Sequence, residues 1–379
     1  MSGAVEPVGA VVHALAVADA LQALGHDAEV WVPAAAHAAL GGAERAPVRP
    51  VAIPDAAADP EERARTAVAA LTGALAAGEP ADVEHAQDSV AGAALLLLRA
   101  EGRAGAVVRT VHHVDASSLP GLDELQRASI QDTDACICPS AFWADRLLAE
   151  FGVEATVVPG GVDAARLATP LTRAEAGARF GWAGRPAVLA LGGISRRKGS
   201  RVLLEAFARS RARLGDDGLL VIAGRDAGED DYVEAFRADA ARLGLGISGP
   251  RPGAGDSVAL LGAVPSGDMP ALHRAVDALA YPSTREGFGL AVLEAASAGL
   301  PAVVSDLPVL RESLADGRDC LMVPAGDSGP LADALVRLVR DRRLRARLAA
   351  GGRETAARFR WADAAEAHLR VYEGVLAAR

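Results

Sequence analysis

At 379 residues the chain is long enough for two domains with a core each, and 51% hydrophobic with 23% charged residues describes a globular protein. A net charge of −10 speaks against a nucleic-acid partner, whose phosphates call for basic stripes. Three cysteines (Cys136, Cys138, Cys320) make neither a disulfide framework nor a zinc spacing. The longest pure apolar run, 93–98, is too short to span a bilayer, so a cytoplasmic protein with reduced thiols, no zinc site and no transmembrane segment is expected.

Along the chain, 11–24 has a helical pattern ended by Gly25, and 28–32 reads as a strand. An alanine-rich, Pro-punctuated stretch over 33–60 leads to a helix over about 61–77. The segment 82–85 is a short strand, followed by a helix through Leu98. Apolar strands follow at 106–111, 135–138 and 156–158. Pro159-Gly160-Gly161-Val162-Asp163 and Thr169-Pro170 form a turn-rich linker, which places a domain boundary at 168/169. The pattern then restarts, with strands at 187–191, 219–223, 258–261, 278–281 and 302–304. Helices are expected at 200–212, 232–243, 269–275, 290–298, 331–348 and 361–376. Strands alternating with helices mean parallel sheets, so the expected fold class is α/β with two Rossmann-like, doubly wound domains facing a central cleft. Residues 1–168 form the first, 169–357 the second, and 358–379 are expected to pack back on the first. Only 1–6 precede Pro7-Val8-Gly9-Ala10, less than a buried strand of about five or six residues plus its loop. The first domain is therefore expected to lack its N-terminal strand.

The chemistry concentrates in Ser283–Asp306. Gly287-Phe288-Gly289 make a turn into the helix that opens at Leu290, whose first amides have no partner inside the helix and carry the positive end of its dipole. Glycines on either side of Phe288 let an anion approach the backbone. Glu286 and Glu294 stand eight positions apart (294 − 286), one before the turn and one within the helix. A carboxylate accepts two hydrogen bonds from a vicinal diol, so the stretch suits a sugar joined to a phosphate. Gly192-Gly193-Ile194-Ser195-Arg196-Arg197-Lys198-Gly199 follows a strand and precedes a helix, placing a basic cluster where a departing diphosphate needs neutralising. His112 and His113 close an apolar strand at the mouth of the first sheet, where a sugar hydroxyl is a natural partner.

Three further patterns fail on context. Gly244-x-Gly246-x-x-Gly249 follows a helix rather than a strand, so it lacks the setting of a dinucleotide fingerprint. Asp132-Thr133-Asp134 imitates a metal-binding pair but precedes a strand. The arginines over 337–347 read as a solvated helix face, so peripheral membrane contact is not favoured.

Glu-Gly-Phe-Gly-Leu followed by Glu-Ala-x-x-x-Gly-x-Pro resembles the Glu-x7-Glu signature of retaining GT-B glycosyltransferases of family 4, the group 1 glycosyl transferases. The resemblance covers about 11–372 and is strongest over 187–327. It implies a metal-independent transferase that uses a nucleotide-sugar donor and an unidentified acceptor, and retains configuration at the anomeric carbon. Under it Glu286 binds donor-sugar hydroxyls, Glu294 the ribose, and Lys198 the diphosphate. The family arginine falls at Gly193, leaving Arg197 or Arg196 to take its place. His112 matches a Thr-x-His that lies against the donor sugar. His113 and Asp115 become acceptor contacts, and His85 with Asp88 resembles a further landmark on that side. The family's first glycine loop corresponds to Gly9-Ala10, which implies Gly9 as a donor contact. Val258–Val264 resembles the segment framing the base, chiefly by backbone groups. Two other readings remain open: a GT-B epimerase or phosphorylase, and a nucleotide-sugar-binding protein with little or no turnover.

Overall fold

The structure, a computed structural model, describes residues 9–34, 45–54, 59–114, 119–215, 217–226 and 230–379. In chain order it begins with α1 (Gly9–Ala23), β1 (Val30–Pro33), β2 (Val48–Val51), α2 (Pro60–Ala76), β3 (Val83–Ala86), α3 (Ser89–Ala100) and β4 (Ala106–Thr110). Next come α4 (Pro120–Gln131), β5 (Ala135–Cys138), α5 (Ala141–Phe151), β6 (Ala155–Val157), α6 (Arg173–Phe180), β7 (Ala187–Leu191), α7 (Ser200–Leu214) and β8 (Leu219–Ala223). They are followed by α8 (Asp230–Arg242), β9 (Ile247–Ser248), β10 (Val258–Gly262), α9 (Met269–Ala275), β11 (Ala278–Tyr281), α10 (Leu290–Ser297) and β12 (Ala302–Ser305). The chain closes with α11 (Pro308–Arg311), β13 (Cys320–Val323), α12 (Ser328–Arg340), α13 (Arg342–Ala356) and α14 (Trp361–Ala377).

These elements form two compact units, one of residues up to 161 together with Arg360–Arg379, the other Val162–Phe359. The break falls at Gly161/Val162 rather than at 168/169, and it has local causes. Val162 N–H donates to Phe359 O at 2.9 Å, and the Asp163 carboxylate accepts from the amides of Ala165 and Arg166, which ties the linker to the second unit. On the other side of the break, a Cβ at Gly161 would lie 2.3 Å from Trp361 N, so only glycine passes there.

In the second unit all strand pairs are parallel, in the order β13-β12-β11-β7-β8-β10-β9. The strands β8, β11 and β12 are buried along their whole length, which is why their sequences are continuous apolar runs rather than alternating ones. One large core, from Val188 and Phe207 through Val303 to Leu348, holds the sheet to α7, α8, α12 and α13. The helix expected over 331–348 is two helices. Asp341 has extended dihedrals (φ −92°, ψ 96°) and its carboxylate caps Leu344 N, so it ends α12 and starts α13 in one residue.

In the first unit the pairing is also parallel, but the described strands lie in two separate sheets, β1-β2 and β3-β4-β5-β6. No described strand joins β1 to β3. The apolar core divides as well. Leu15 and Ala18 of α1 pack on Val30 and Val32, whereas Val68 and Leu71 of α2 pack with Val51, Val90 and Ala94. The last helix, α14, closes the unit: Ala364 packs with Val108, Ile137 and Val158, and Ala365 with Val17 and Leu21.

Candidate functional site

The second sheet changes direction at β7, which has β8 on one side and β11 on the other. Loops after two such strands diverge, and open parallel sheets bind ligands at that crevice. Here the two loops carry Gly192–Gly199 and Pro282–Gly289.

The first loop is held by glycines. Gly192 (φ +106°) and Gly193 (φ +68°) both donate to Ala223 O, and a Cβ at Gly193 would sit 1.9 Å from Arg225 O. The position of the family arginine therefore admits no side chain at all. Gly199 (φ +66°), which leads into α7, lies against Pro282 O in the same way, locking the two loops together. Thr284 N–H adds a bond to Arg197 O at 2.8 Å.

Between them lies a charged cluster. Lys198 Nζ is 2.8 Å from Glu286 Oε1 and 2.8 Å from the Tyr281 hydroxyl, and 4.4 Å from the centre of the Tyr281 ring. Arg197 Nη1 donates to the same Glu286 oxygen at 3.1 Å. Burial pushes Glu286 up, but Lys198 and Arg197 outweigh it and hold the carboxyl below its ordinary range. Burial also pulls Lys198 down, with Glu286 drawing it back, and lifts the Tyr281 hydroxyl well above its usual value. The cluster is an ionised carboxylate under two cations, with a neutral phenol beside it.

Gly289 (φ +91°) precedes α10 with no side chain to cap it, and a Cβ there would lie 2.5 Å from Leu310 Cδ2. Phe288 turns its ring to the edge of Phe359 at 5.4 Å, which anchors the turn between Gly287 and Leu290. Inside α10, Glu294 is only partly exposed, and burial pushes its carboxyl up to about 7 against the pull of Arg166. Val264 is partly buried in the loop after β10, and Gly224 N–H donates to Gly262 O at 2.7 Å, joining the loops after β8 and β10.

Of the residues expected from sequence, the structure thus brings Arg197, Lys198 and Glu286 together. Arg196 is turned instead toward Asp231, with which it pairs, and toward the Tyr232 ring at 4.9 Å. Tyr281 was not foreseen. It closes an apolar strand, where an aromatic reads as core.

The first unit carries a second polar group. His112 Nε2 lies 3.0 Å from Gln87 Oε1, and His13 Nδ1 3.2 Å from the same oxygen. His85 bridges Tyr372 OH (2.7 Å) and Thr110 Oγ1 (2.8 Å). His368 Nδ1 donates to Ala364 O at 2.7 Å, and its ring lies 5.7 Å from His13 and 5.5 Å from His85. Burial, reinforced by neighbouring imidazoles and Arg109, holds His85 and His112 well below their ordinary value, and burial with His368 takes His13 down to about 3 against its bond to Gln87. His113 is partly exposed, Gly9 opens α1 with no described residue near its Cβ position, and Asp115 lies outside the described residues. Asp88 caps α3 through Ala91 N, and Asp134 binds Val107 N and Arg99, a structural use of the Asp132–Asp134 pair. His13, Gln87 and His368 were not expected. A histidine in an apolar helix and a glutamine in a loop carry no signal of their own.

A model of glycosyl transferases group 1 matches residues 178–355, and one of Glycosyltransferase Family 4 matches 7–166. The phosphatidyl-myo-inositol mannosyltransferase of Mycobacterium leprae is 38% identical over 180 residues, 47% of this chain and 44% of that protein. The GDP-mannose-dependent alpha-(1-6)-phosphatidylinositol monomannoside mannosyltransferase of Mycobacterium tuberculosis is 30% identical over 297 residues, 73% of this chain and 74% of that one. The chain thus spans less than half the length of the first relative and about three quarters of the second. Among solved structures, a sucrose-phosphate synthase from Thermosynechococcus elongatus matches at a TM-score of 0.78, covering 98% of this chain and 94% of that one at 21% identity, a likeness of fold.

Proposed function

The chain belongs to the group 1 glycosyl transferases, and from that premise we propose that it moves a hexosyl group from a nucleotide-diphosphate sugar to an acceptor hydroxyl, with retention and without a metal. The observation that carries this reading is the Lys198–Glu286–Arg197 cluster at the sheet's switch point. The anomeric carbon–oxygen bond breaks toward the diphosphate, whose growing charge meets Lys198, Arg197 and the uncapped first amides of α10. The acceptor oxygen enters on the face the diphosphate leaves, and its proton passes to the departing phosphate oxygen. Two fixed cations supply charge that a divalent ion supplies elsewhere.

Glu286 is ionised and committed to Lys198 and Arg197, so it suits accepting sugar hydroxyls rather than the acid or nucleophile role of a glycosidase carboxyl. Glu294 takes the ribose diol and His112 a hydroxyl of the transferred sugar. Arg197 within reach of Glu286 speaks against the reading without turnover, one ground for which was the missing arginine at Gly193. GDP-mannose is the first donor to test and a phosphatidylinositol mannoside the first acceptor, by analogy with the M. tuberculosis relative. The protein would work at the cytoplasmic side; no helix among the described residues is long and apolar enough to cross a membrane.

The test is a thermal-shift screen of GDP, UDP and their sugars with and without Mg²⁺, then product analysis. A donor at a hundred times its dissociation constant adds about 2.7 kcal/mol. A Mg²⁺-independent shift and an axially retained product support the reading, whereas an inverted product or a strict metal requirement overturns it.

A further inference from the structure

Gln87 stands among three histidines. Its Oε1 lies 3.2 Å from His13 Nδ1 and 3.0 Å from His112 Nε2, and its Nε2 lies 3.4 Å from His85 Nε2. An amide oxygen only accepts, so His13 carries its proton on Nδ1 and His112 on Nε2. The amide nitrogen only donates, so His85 Nε2 is an acceptor, also for Thr110 Oγ1 at 2.8 Å, and His85 Nδ1–H donates to Tyr372 OH at 2.7 Å.

Turning the amide over would invert all three rings. It would leave His13 with a proton on Nε2, an atom buried without a partner. The present orientation leaves only a lone pair there, and an orphaned buried donor is the costlier of the two. The amide orientation therefore sets the tautomer of His112, leaving a lone pair on Nδ1, which has no hydrogen-bond partner among the described residues.

We propose that Gln87 is a positioning residue of the transfer reaction, holding the proton of His112 on Nε2 so that Nδ1 accepts from a hydroxyl of the transferred sugar. This rests on the reading of His112 as a sugar contact. The groups that bear on His112 are His13 from α1, His85 from β3, Arg109 from β4 and His113 beside it. His368 and Tyr372 of α14 act at one remove, through His13 and His85. All favour a neutral ring. A neutral amide at position 87 keeps it so, whereas a carboxylate there would draw a second proton onto it.

The test uses the whole chain and two variants. Long-range ¹⁵N–¹H spectra of the free protein, with the His112 signals identified by their loss in His112→Gln, should show His112 protonated on Nε2, and Gln87→Leu should mix the two tautomers. Gln87→Leu should lower kcat about 10- to 100-fold with donor KM within about threefold. Gln87→Glu keeps the acceptor oxygen, so it should retain most of kcat at pH 8 while moving the acid limb of the pH–rate profile up by about one unit or more. If Gln87→Leu does not fold, the Gln87→Glu limb and the wild-type spectrum still decide. His112 protonated on Nδ1 in the wild type, or a Gln87→Glu profile superimposable on the wild type, overturns the proposal. Absence of turnover with any donor alongside the expected tautomer overturns the transferase reading instead.

Discussion

Lys198 and Glu286, 88 residues apart in the chain, meet in an ion pair of 2.8 Å whose side chains are only 13% and 7% exposed. Such a pair is poorly solvated, so neither charge is comfortable without the other. Lys198→Met removes the nearer of the two cations that pair with Glu286. It is expected to cost about 2 kcal/mol of stability, below the full penalty of a broken buried pair because Arg197 remains. Transfer should fall at least about a hundredfold, as when one charge-stabilising group is removed. The double variant Lys198→Met/Glu286→Gln should recover the stability but not the activity. Chemical denaturation and initial rates check both, and recovered activity would remove Lys198 from the chemistry.

Glu294 gives a pH signature. Its folded carboxyl titrates near 7 against an ordinary 4.5. Below 4.5 both states are protonated and the group is neutral to stability. Between 4.5 and 7 the unfolded chain gives up its proton first, so stability falls as pH rises, and above 7 the penalty is complete. Glu294→Gln should therefore gain nothing near pH 4.5 and about 1–3 kcal/mol at pH 8. Donor affinity of the wild type should rise through pH 7 as the carboxylate forms, and Glu294→Ala should weaken it about 10- to 100-fold. Titration calorimetry with the donor nucleotide reads this, and a flat pH profile would detach Glu294 from the ribose.

Gly193 and Gly9 make a controlled comparison. At Gly193 an alanine meets both a left-handed backbone and Arg225 O at 1.9 Å, a combined cost of about 3–4 kcal/mol. At Gly9 nothing among the described residues lies within 4 Å and the residue is helical, so Gly9→Ala should gain about half a kcal/mol. Melting curves of the two variants should move in opposite directions. A harmless Gly193→Ala would mean the loop can repack, reopening that position to an arginine.

The histidine group predicts where acid acts first. Burial depresses His13, His85, His112 and His368, so each stays neutral in the fold while its unfolded counterpart charges below about 6.5. Stability is then lost as pH falls from 6.5 toward the folded values, by about 1.4 kcal/mol per pH unit for each imidazole. In the second unit His273 behaves alike, lowered by burial to about 4, but it is a single group there among the described residues. Hydrogen exchange at pH 5 should open α14 and β3 before β11 and β12. Equal protection in both units would contradict this.

Much of the fold was legible because buried parallel strands are written as apolar runs. Those at 135–138, 187–191, 219–223 and 278–281 appear where they were expected. The helices α4 and α5 escaped because their apolar residues are interspersed with charged ones, and β13 because four residues between a turn and a helix carry no period. Asp341 shows the limit from the other side. One N-cap divides a continuous helical pattern into two helices, and only the backbone shows the break. In the site, Glu286 and Lys198 were legible from their loops, but Tyr281 was hidden in a strand. Of the histidine group, His85 and His112 were named from their strands, but their meeting with His13, Gln87 and Tyr372 could not be read, since it closes over separations of 74 residues between His13 and Gln87 and 287 between His85 and Tyr372.

The return of α14 to the first unit has a consequence for biosynthesis. A ribosome finishes Val162–Phe359 before it releases Trp361, Ala364, Ala365 and His368, which fill the core of the unit that was begun first. The contiguous unit can fold during translation, whereas the N-terminal one waits, with Val17, Leu21 and Val108 uncovered, until α14 has left the exit tunnel. The half that is made first is completed only after the other, and loss of α14 strikes the unit begun by α1.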